Sequence, residues 1–585
     1  MNTPGNTEAD GSIDAGLQHT LNQQLHWLAA NRQHWLQTPL ADRITILAEI
    51  RDALMPVAQG WAETASRKKG IAVGSPLEGE EWLSGPYAMM NYCNQLISTL
   101  SRVQGKHHLD GLPVRQLPNA QVAVRVLPHT LWDRLLLSGV SAEVWMQPQV
   151  TPQTLAQHTA GTYDPASALH KRGGLALVLG AGNIAAIAPL DVLHKLFYEN
   201  EVVILKMNPV NDYLIDFLTP ALKPLIERGF VRIVRGGADV GQYLCNHPLV
   251  ESIHITGAGA SHDAIVWGTG AQGLANKAAG TPLNRRSITS ELGAVCPTIV
   301  VPGPWSAADI RFQAEQVATQ KLHNSGFNCV ACQVLVLPGN WEQKNAFQAE
   351  LERVIGASEA RALYYPGAQD RLQKFRASNP GARAVARDGA ADLLLAPLQA
   401  DSPAAARSTE VFAPAMQVME IDAANPEAYL RAAIDYANTQ LYGTLGANIV
   451  IHPATMAQIG RQRLEELLIG LRYGTIAINA WTGLGFLTPQ ATWGAFPGHT
   501  LADVQSGIGF VHNTFLFDQP QRTVVQAPFK PFPRNLLSGS FSLLPRPPWF
   551  ITHRKAAVLG RLLLAFQYRP NLLTLARIFF NAMRG

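Results

Sequence analysis

Cysteine is scarce in this chain, charge is sparse, and long apolar runs are missing. Five cysteines in 585 residues, irregularly spaced, exclude the disulfide framework that staples small secreted domains. No uninterrupted apolar run reaches the roughly 18 residues needed to cross a bilayer. The polar, acidic opening MNTPGNTEADGSIDAG carries no apolar signal core. These absences fit a reducing, cytoplasmic compartment. Charged residues make up 15% against 47% hydrophobic, a balance that excludes a disordered or fibrous chain. No internal repeat is evident. Acidic residues are absent from Gln519 to Gly585, where ten basic residues fall, so the rest of the chain sums to −6 within a total of +4.

Such a length supports more than one domain and a large core. Residues 1–16 read as a disordered leader, and Leu17 to Val103 carries apolar residues at helical spacing. Residues 104–172 mix short β-like runs, QVAVRVL and AEVWMQ, with Pro- and Gly-rich turns. A strand-then-helix alternation starts at Gly174 with GLALVLGAG and continues through EVVILKMNP, FVRIVRGGADVG and ESIHITGAG. That alternation predicts a doubly wound parallel sheet, which binds ligands at the carboxyl ends of its strands. A second α/β unit is expected from about Arg286, with PTIVV, CQVLVLP, QVMEI, LGANIVI and GTIAINA as strands.

The most informative segment is His323-Asn324-Ser325-Gly326-Phe327-Asn328-Cys329. A cysteine nucleophile needs partial exposure and a donor for the oxyanion it creates, and a polar turn before a strand can provide the exposure. Taken alone, an intracellular cysteine is more often a small buried hydrophobe. Cys329 and Cys332 form a C-x-x-C pair, but no second pair or ligand-spaced histidines accompany it, which argues against metal. A redox pair normally opens a helix, whereas Cys332 leads into a strand-like run.

The company Cys329 keeps is more specific. Glu291-Leu292-Gly293-Ala294 lies 38 residues upstream, Gly-Ala-Gly-Asn183 and Lys206-Met207-Asn208-Pro209 precede it, and Ile255-Thr256-Gly257-Ala258 falls between. Glu410-Val411-Phe412-Ala413-Pro414 and Gly474-Thr475-Ile476-Ala477-Ile478-Asn479 follow. In this order the motifs resemble those of the aldehyde dehydrogenase superfamily over roughly 170–500. The resemblance implies a Rossmann-type cofactor domain plus a second α/β catalytic domain. It implies Cys329 as nucleophile, Asn183 and the Cys329 backbone N–H as oxyanion donors, and Glu291 as the base that hydrolyses a thioester.

It also implies NAD or NADP as cofactor. Lys206 and Glu410 would meet ribose hydroxyls, Phe412 would lie near the nicotinamide ribose, and Gly237, Gly241 and Gly257 would permit close approach of the dinucleotide. For Gly237 and Gly241 a plain strand–helix turn is an equally good reading. The expected reaction is oxidation of an aldehyde to its acid. A coenzyme-A-acylating reductase of the same superfamily is the first alternative, opposed by Glu291. A catalytically inactive membrane-associated scaffold is the second.

Four departures stand out. Phe327 replaces the usual glutamine and is expected to reshape the pocket wall. Gly182 replaces a tryptophan, which should open space beside Asn183. Pro209 replaces a glutamate that contacts the adenosine ribose, so a 2′-phosphate meets no repulsion and NADP stays open. The stretches from Gly257 to Glu291 and from Glu291 to Cys329 read as loop insertions.

The expected division is a cofactor domain over 17–285, including part of an oligomerisation element, and a catalytic domain over 286–485. A return to the cofactor domain with an oligomerisation strand spans 486–518, and a basic amphipathic extension spans 519–585. In that extension Val558, Leu559, Leu562, Leu563 and Phe566 share a helical face, as do Leu572, Leu575, Ala576, Phe579 and Met583. Packing on the enzyme body is favoured, and peripheral membrane contact is the alternative. A homodimer or homotetramer and a small aldehyde substrate, with a hint of hydrophobic character, complete the expectation; no nucleic-acid module is present.

Overall fold

The computed structural model describes residues 13–167, 169–170, 173–359, 361–389, 391–399, 401–538 and 541–585. Residues 1–12 of the expected leader lie outside them. The rest of that leader is ordered, because Asp14 caps the helix Ala15–Gln37 by accepting from the Gly16 and Leu17 N–H groups.

All four strand runs read from Gly174 onward form one sheet. Leu175–Leu179 lies at its centre, flanked on one side by Val202–Lys206 and Val231–Val234 and on the other by Ser252–Gly257 and Ser287–Leu292, all parallel. These runs are rich in Val, Ile and Leu because helices cover both faces. The chain moves outward from the central strand, then reverses to its other side, so a crevice opens at the carboxyl ends of Leu175–Leu179 and Ser252–Gly257. The edge strand Gly507–Ile508 returns late in the chain to pair antiparallel with Glu291 and Ser290.

The expected start of the second unit at Arg286 is five residues or more too early. Ser287–Leu292 pairs with Ser252–Gly257 in the first sheet, and the chain crosses to the second only after Gly293. The second sheet has eleven strands. Its seven central strands run parallel from Pro520–Gln526 through Thr475–Ile478, Gly446–Val450, Cys296–Val300, Cys332–Pro338 and Ala415–Ile421 to Leu393–Leu398. QVAVRVL and AEVWMQ form the strands Val122–Leu127 and Ser141–Met146 on one margin.

Residues 520–526 therefore belong to the body rather than to the extension, their TVV run filling a sheet position between two neighbours. That strand pairs with Ser141–Met146 on one edge and Thr475–Ile478 on the other, so neither edge is left for another chain. The expected loop insertion after Gly257 is instead the helices Gly259–Trp267 and Gly270–Ala279, and the segment after Glu291 holds the helix Ala307–Leu322.

Beyond Gln526 the chain crosses the body and ends in the helices Ala556–Tyr568 and Leu572–Ala582. The expected apolar faces are divided. Leu559, Leu562, Phe566, Leu575 and Ile578 are buried, against Trp132, Leu135 and Leu136, while Val558, Leu572, Ala576 and Met583 face outward. Arg546 pairs with Glu315 at 3.1 Å and Arg561 with Glu78 at 3.6 Å, so part of the basic charge docks on acidic body residues. Ala556–Tyr568 crosses the short helix Glu78–Trp82 at two glycines. A Cβ on Gly79 would lie 2.6 Å from the Ala556 Cβ, and one on Gly560 would lie 2.5 Å from the Trp82 Cβ. No helix among the described residues is long and apolar enough to cross a membrane.

Candidate active site

The junction of the two sheets brings Cys329 and Glu291 together. Glu291 is the penultimate residue of Ser287–Leu292, opposite Thr256 on one side and Gly507 on the other. Gly507 has φ +126°, and a Cβ there would lie 2.0 Å from the Ser290 carbonyl oxygen, so only glycine allows this approach. The Cys329 thiol donates to Glu291 Oε1 at 3.3 Å. Burial pushes the Glu291 carboxyl up to about 7, with Asp191 adding to it and the Trp493 indole and the Cys329 thiol offsetting part. Burial also raises the Cys329 thiol well above its ordinary value, reinforced by Glu291 and Glu410.

Cys329 follows a turn in which Asn324 (φ 55°), Ser325 (φ 55°) and Gly326 (φ 81°) are all left-handed. Two non-glycine residues in that region persist only when their surroundings over-determine them. Asn324 is held at every polar atom. Its backbone N–H donates to Glu80 Oε2 at 2.8 Å, and its Oδ1 accepts from Tyr364 at 2.9 Å, Arg361 at 3.1 Å and Lys69 at 3.3 Å. Its amide donates to the carbonyls of Phe327 and Asn183 at 3.1 and 3.2 Å.

Asn183 sits on the glycine turn after Leu175–Leu179, and its amide also donates to the Phe327 carbonyl, at 2.9 Å. One amide N–H remains, and Asn183 shares two cavities with Cys329 and Glu291. The three predicted catalytic residues are thus brought together.

Sequence reasoning missed what lies behind them. Lys69 Nζ, fully buried, donates to the Asn183 carbonyl at 2.9 Å and pairs with Glu81 at 2.9 Å, while Arg361 pairs with Glu80. Burial lowers the Lys69 pKa, with Glu81 offsetting part. Burial would raise Glu80, but Arg361 and His323 outweigh it and hold the carboxyl below its usual range. The acidic run Glu78-Gly79-Glu80-Glu81 inside an apolar helical region was the available signal; Arg361 offered none. Removing Lys69 leaves the buried Glu81 with Arg361 alone, at 3.5 Å, so Lys69→Met is expected to destabilise the protein by about 3 kcal/mol. Denaturant unfolding checks this, and an unchanged midpoint would show the pair to be dispensable.

A cavity of about 680 Å³ runs from Cys329 and Glu291 along the crevice of the first sheet. Lys206, Gly237, Gly241, Gly257, Glu410 and Phe412 all line it. A Cβ on Gly241 would meet nothing within 4 Å, and one on Gly257 only the Ile255 side chain at 3.6 Å, so both glycines leave open room. Gly237 caps the helix Ala238–Asn246, whose N-terminus suits a phosphate. Glu410 packs on Gly293, where a Cβ would lie 1.9 Å from its Oε2, and its buried Oε1 has no hydrogen-bond partner. Burial pushes the Glu410 carboxyl up to about 8, with Lys321 and Arg371 offsetting part. A carboxyl group with an unfilled oxygen beside a glycine-lined cavity fits a ribose hydroxyl.

Two expectations about this wall need correction. The room beside Asn183 left by Gly182 is filled, since a Cβ there would lie 2.8 Å from the Asn208 side chain and 2.9 Å from the Tyr365 hydroxyl. Phe327 is fully buried behind the wall, in edge-on and tilted contact with Tyr364, Tyr365 and Phe412 at centroid distances of 5.1–5.7 Å.

A doubly wound dinucleotide-type sheet joined to a second α/β sheet, with a cysteine and a buried carboxyl at the seam, marks an α/β oxidoreductase. The sequence profile of the aldehyde dehydrogenase family matches residues 196–491, and the chain belongs to that family. Solved structures with the same fold include an indole-3-acetaldehyde dehydrogenase in complex with NAD+, 17% identical, covering 88% of this chain and 89% of that one, with a TM-score of 0.56. A gamma-glutamyl-gamma-aminobutyraldehyde dehydrogenase from Burkholderia cenocepacia J2315 is 17% identical, covers 87% and 88%, and also has a TM-score of 0.56. The lactaldehyde dehydrogenase from Escherichia coli is 16% identical, covers 87% and 91%, and again gives 0.56. No curated protein sequence matches the chain.

Proposed function

We propose that the protein oxidises an aldehyde to its carboxylic acid with NAD or NADP, through a thioester on Cys329. The observation that carries this reading is the 3.3 Å contact between the Cys329 thiol and Glu291, at the end of the glycine-lined cavity. Gly237, Gly241 and Gly257 would admit the dinucleotide, and Lys206 and Glu410 would meet its ribose hydroxyls. Bound there, it supplies the hydride acceptor.

Glu291 takes the thiol proton as Cys329 adds to the aldehyde carbon. The oxyanion meets the remaining Asn183 amide N–H and the Cys329 backbone N–H. After hydride loss leaves a thioester, Glu291 releases the thiol proton to solvent through the cavity; the ionised carboxylate then takes a proton from water, whose oxygen attacks the thioester carbon, and the departing thiolate regains a proton from Glu291 as the acid leaves. The buried Oε2 of Glu291 has no protein partner, leaving an acceptor for that water, which supports hydrolysis over transfer to a thiol. Aldehyde-dependent formation of NAD(P)H by the purified protein tests the reading; reduction of acyl-coenzyme A instead would favour the reductase.

All five cysteines are free thiols, which supports a reducing, cytoplasmic compartment. Homodimers or homotetramers, as the family resemblance implies, would use surfaces other than Pro520–Gln526.

The outer face of the last helix supports peripheral contact with an anionic membrane. Leu572, Leu573, Phe580 and Met583 are 74%, 73%, 60% and 50% exposed, and Arg569, Arg577 and Arg584 flank them. Apolar side chains enter the interface while each arginine near anionic lipid contributes about 1 kcal/mol. The protein is expected to sediment with phosphatidylserine vesicles, and Arg577→Glu with Leu573→Asp to weaken that binding more than tenfold, an effect on the order of 2–3 kcal/mol. Equal recovery with neutral vesicles would remove the proposal.

A further inference from the structure

Behind the nucleophile, on the side away from the large cavity, lies a narrow space of about 40 Å³. Cys329, Asn183 and Glu291 form one end of it, and its walls are apolar and aromatic: Val330, Phe486, Trp481, Trp493 and Trp549. A second space of about 90 Å³ lies beyond, between the body and the C-terminal helices. Leu83, Leu487 and Trp549 line both, so these three side chains are the partition between them. Trp549, Leu559, Ile578 and Phe579 of the second wall all belong to the chain beyond Gln526, and Leu127 and Leu136 face them from the body.

The second space offers an apolar guest no uncompensated charge. Asp133 accepts from the His129 and Thr130 N–H groups at 3.0 and 2.8 Å, Arg546 is paired with Glu315, and Gln567 accepts from Asn94. A carboxylate or phosphate tail would find no free partner among them. An unbranched alkyl chain suits a space of this volume lined by leucine and tryptophan.

We propose that the substrate is a long, straight-chain aliphatic aldehyde whose tail runs past Trp549 into the space walled by the C-terminal helices. The carbonyl carbon stops at Cys329 while the methylenes fill both cavities, and the extension serves as the substrate-specificity wall of the enzyme. The inference rests on Cys329 being the aldehyde nucleophile.

The experiment compares acetaldehyde, hexanal, decanal and tetradecanal with the full chain and both cofactors. Each methylene moved from water into the passage is worth about fourfold, so kcat/KM is expected to climb along the series until the second space is full. Ile578→Trp and Leu136→Trp fill that space from opposite walls. Each is expected to lower the decanal-to-acetaldehyde ratio of kcat/KM about tenfold or more. Agreement between the two separates a filled passage from a misfolded helix. A flat series, or ratios unmoved by either variant, overturns the passage while leaving aldehyde oxidation standing. If no aldehyde turns over, calorimetric binding of decan-1-ol decides: binding lost in both tryptophan variants sustains the apolar passage without the dehydrogenase reading, and no binding ends both.

Discussion

Cys329→Ala is expected to bring aldehyde-dependent NAD(P)H formation to background, a loss of about 10⁴-fold or more, the scale seen when a covalent nucleophile is removed. No other thiol can substitute for it. Cys296 and Cys332 are fully buried, Cys332 as the first residue of its strand and Cys296 donating to the Cys329 carbonyl at 3.4 Å. Because Cys329 makes no ion pair among the described residues and fills little volume, the thermal midpoint should change little. Turnover within tenfold of the parent would overturn the covalent mechanism, since hydride loss would then proceed without an enzyme-bound adduct.

Glu291→Gln is expected to show one burst of NAD(P)H, itself slowed because the thiol has lost its base, followed by a steady state about 10²–10³-fold slower than the parent, with an acyl adduct on Cys329 visible by mass spectrometry. The amide keeps the shape and removes the base. In the parent, the rate should rise with pH through about 7, where the Glu291 carboxyl ionises, and the variant should lose that limb. A linear, parent-like time course would assign hydrolysis to another group. Stability should move in the opposite sense. The folded carboxyl titrates at about 7 rather than 4.5, so stability present below about pH 4.5 is lost as pH rises through about 7. Glu291→Gln is therefore expected to melt higher than the parent at about pH 8, with the difference shrinking towards pH 4.

The strands, and the residues that meet around Cys329, were legible because each depends on local sequence. Runs such as EVVILKMNP must be strands buried on both faces, Cys329 and Asn183 each sit in a recognisable turn, and Glu291 ends a strand just before one. Lys69, Glu80, Glu81 and Arg361 were not legible, since a buried charge announces itself only once its partner, hundreds of residues away for Arg361, is placed beside it. Gly182 and Phe327 misled for a related reason. A motif position says which side chain is present but not which neighbour has moved into the room it leaves. In the C-terminal helices the 3.6-residue period identified an apolar stripe correctly. Periodicity cannot say that two surfaces, one the enzyme body and one facing solvent, divide that stripe between them.

The crossing of Gly79 and Gly560 ties the far end of the chain to the segment that holds the turn before Cys329. The helix Glu78–Trp82 that it clamps carries Glu80, and Glu80 Oε2 holds the Asn324 backbone N–H at 2.8 Å, five residues before the nucleophile. A single methyl group at either glycine would act as a spacer and lever the turn out of register with the oxyanion donors. The C-terminal helices therefore cannot be grafted, exchanged between relatives or trimmed as a detachable module. A change at the crossing would reach Cys329 through Glu80 and Asn324, while changes on the outer faces of these helices need not.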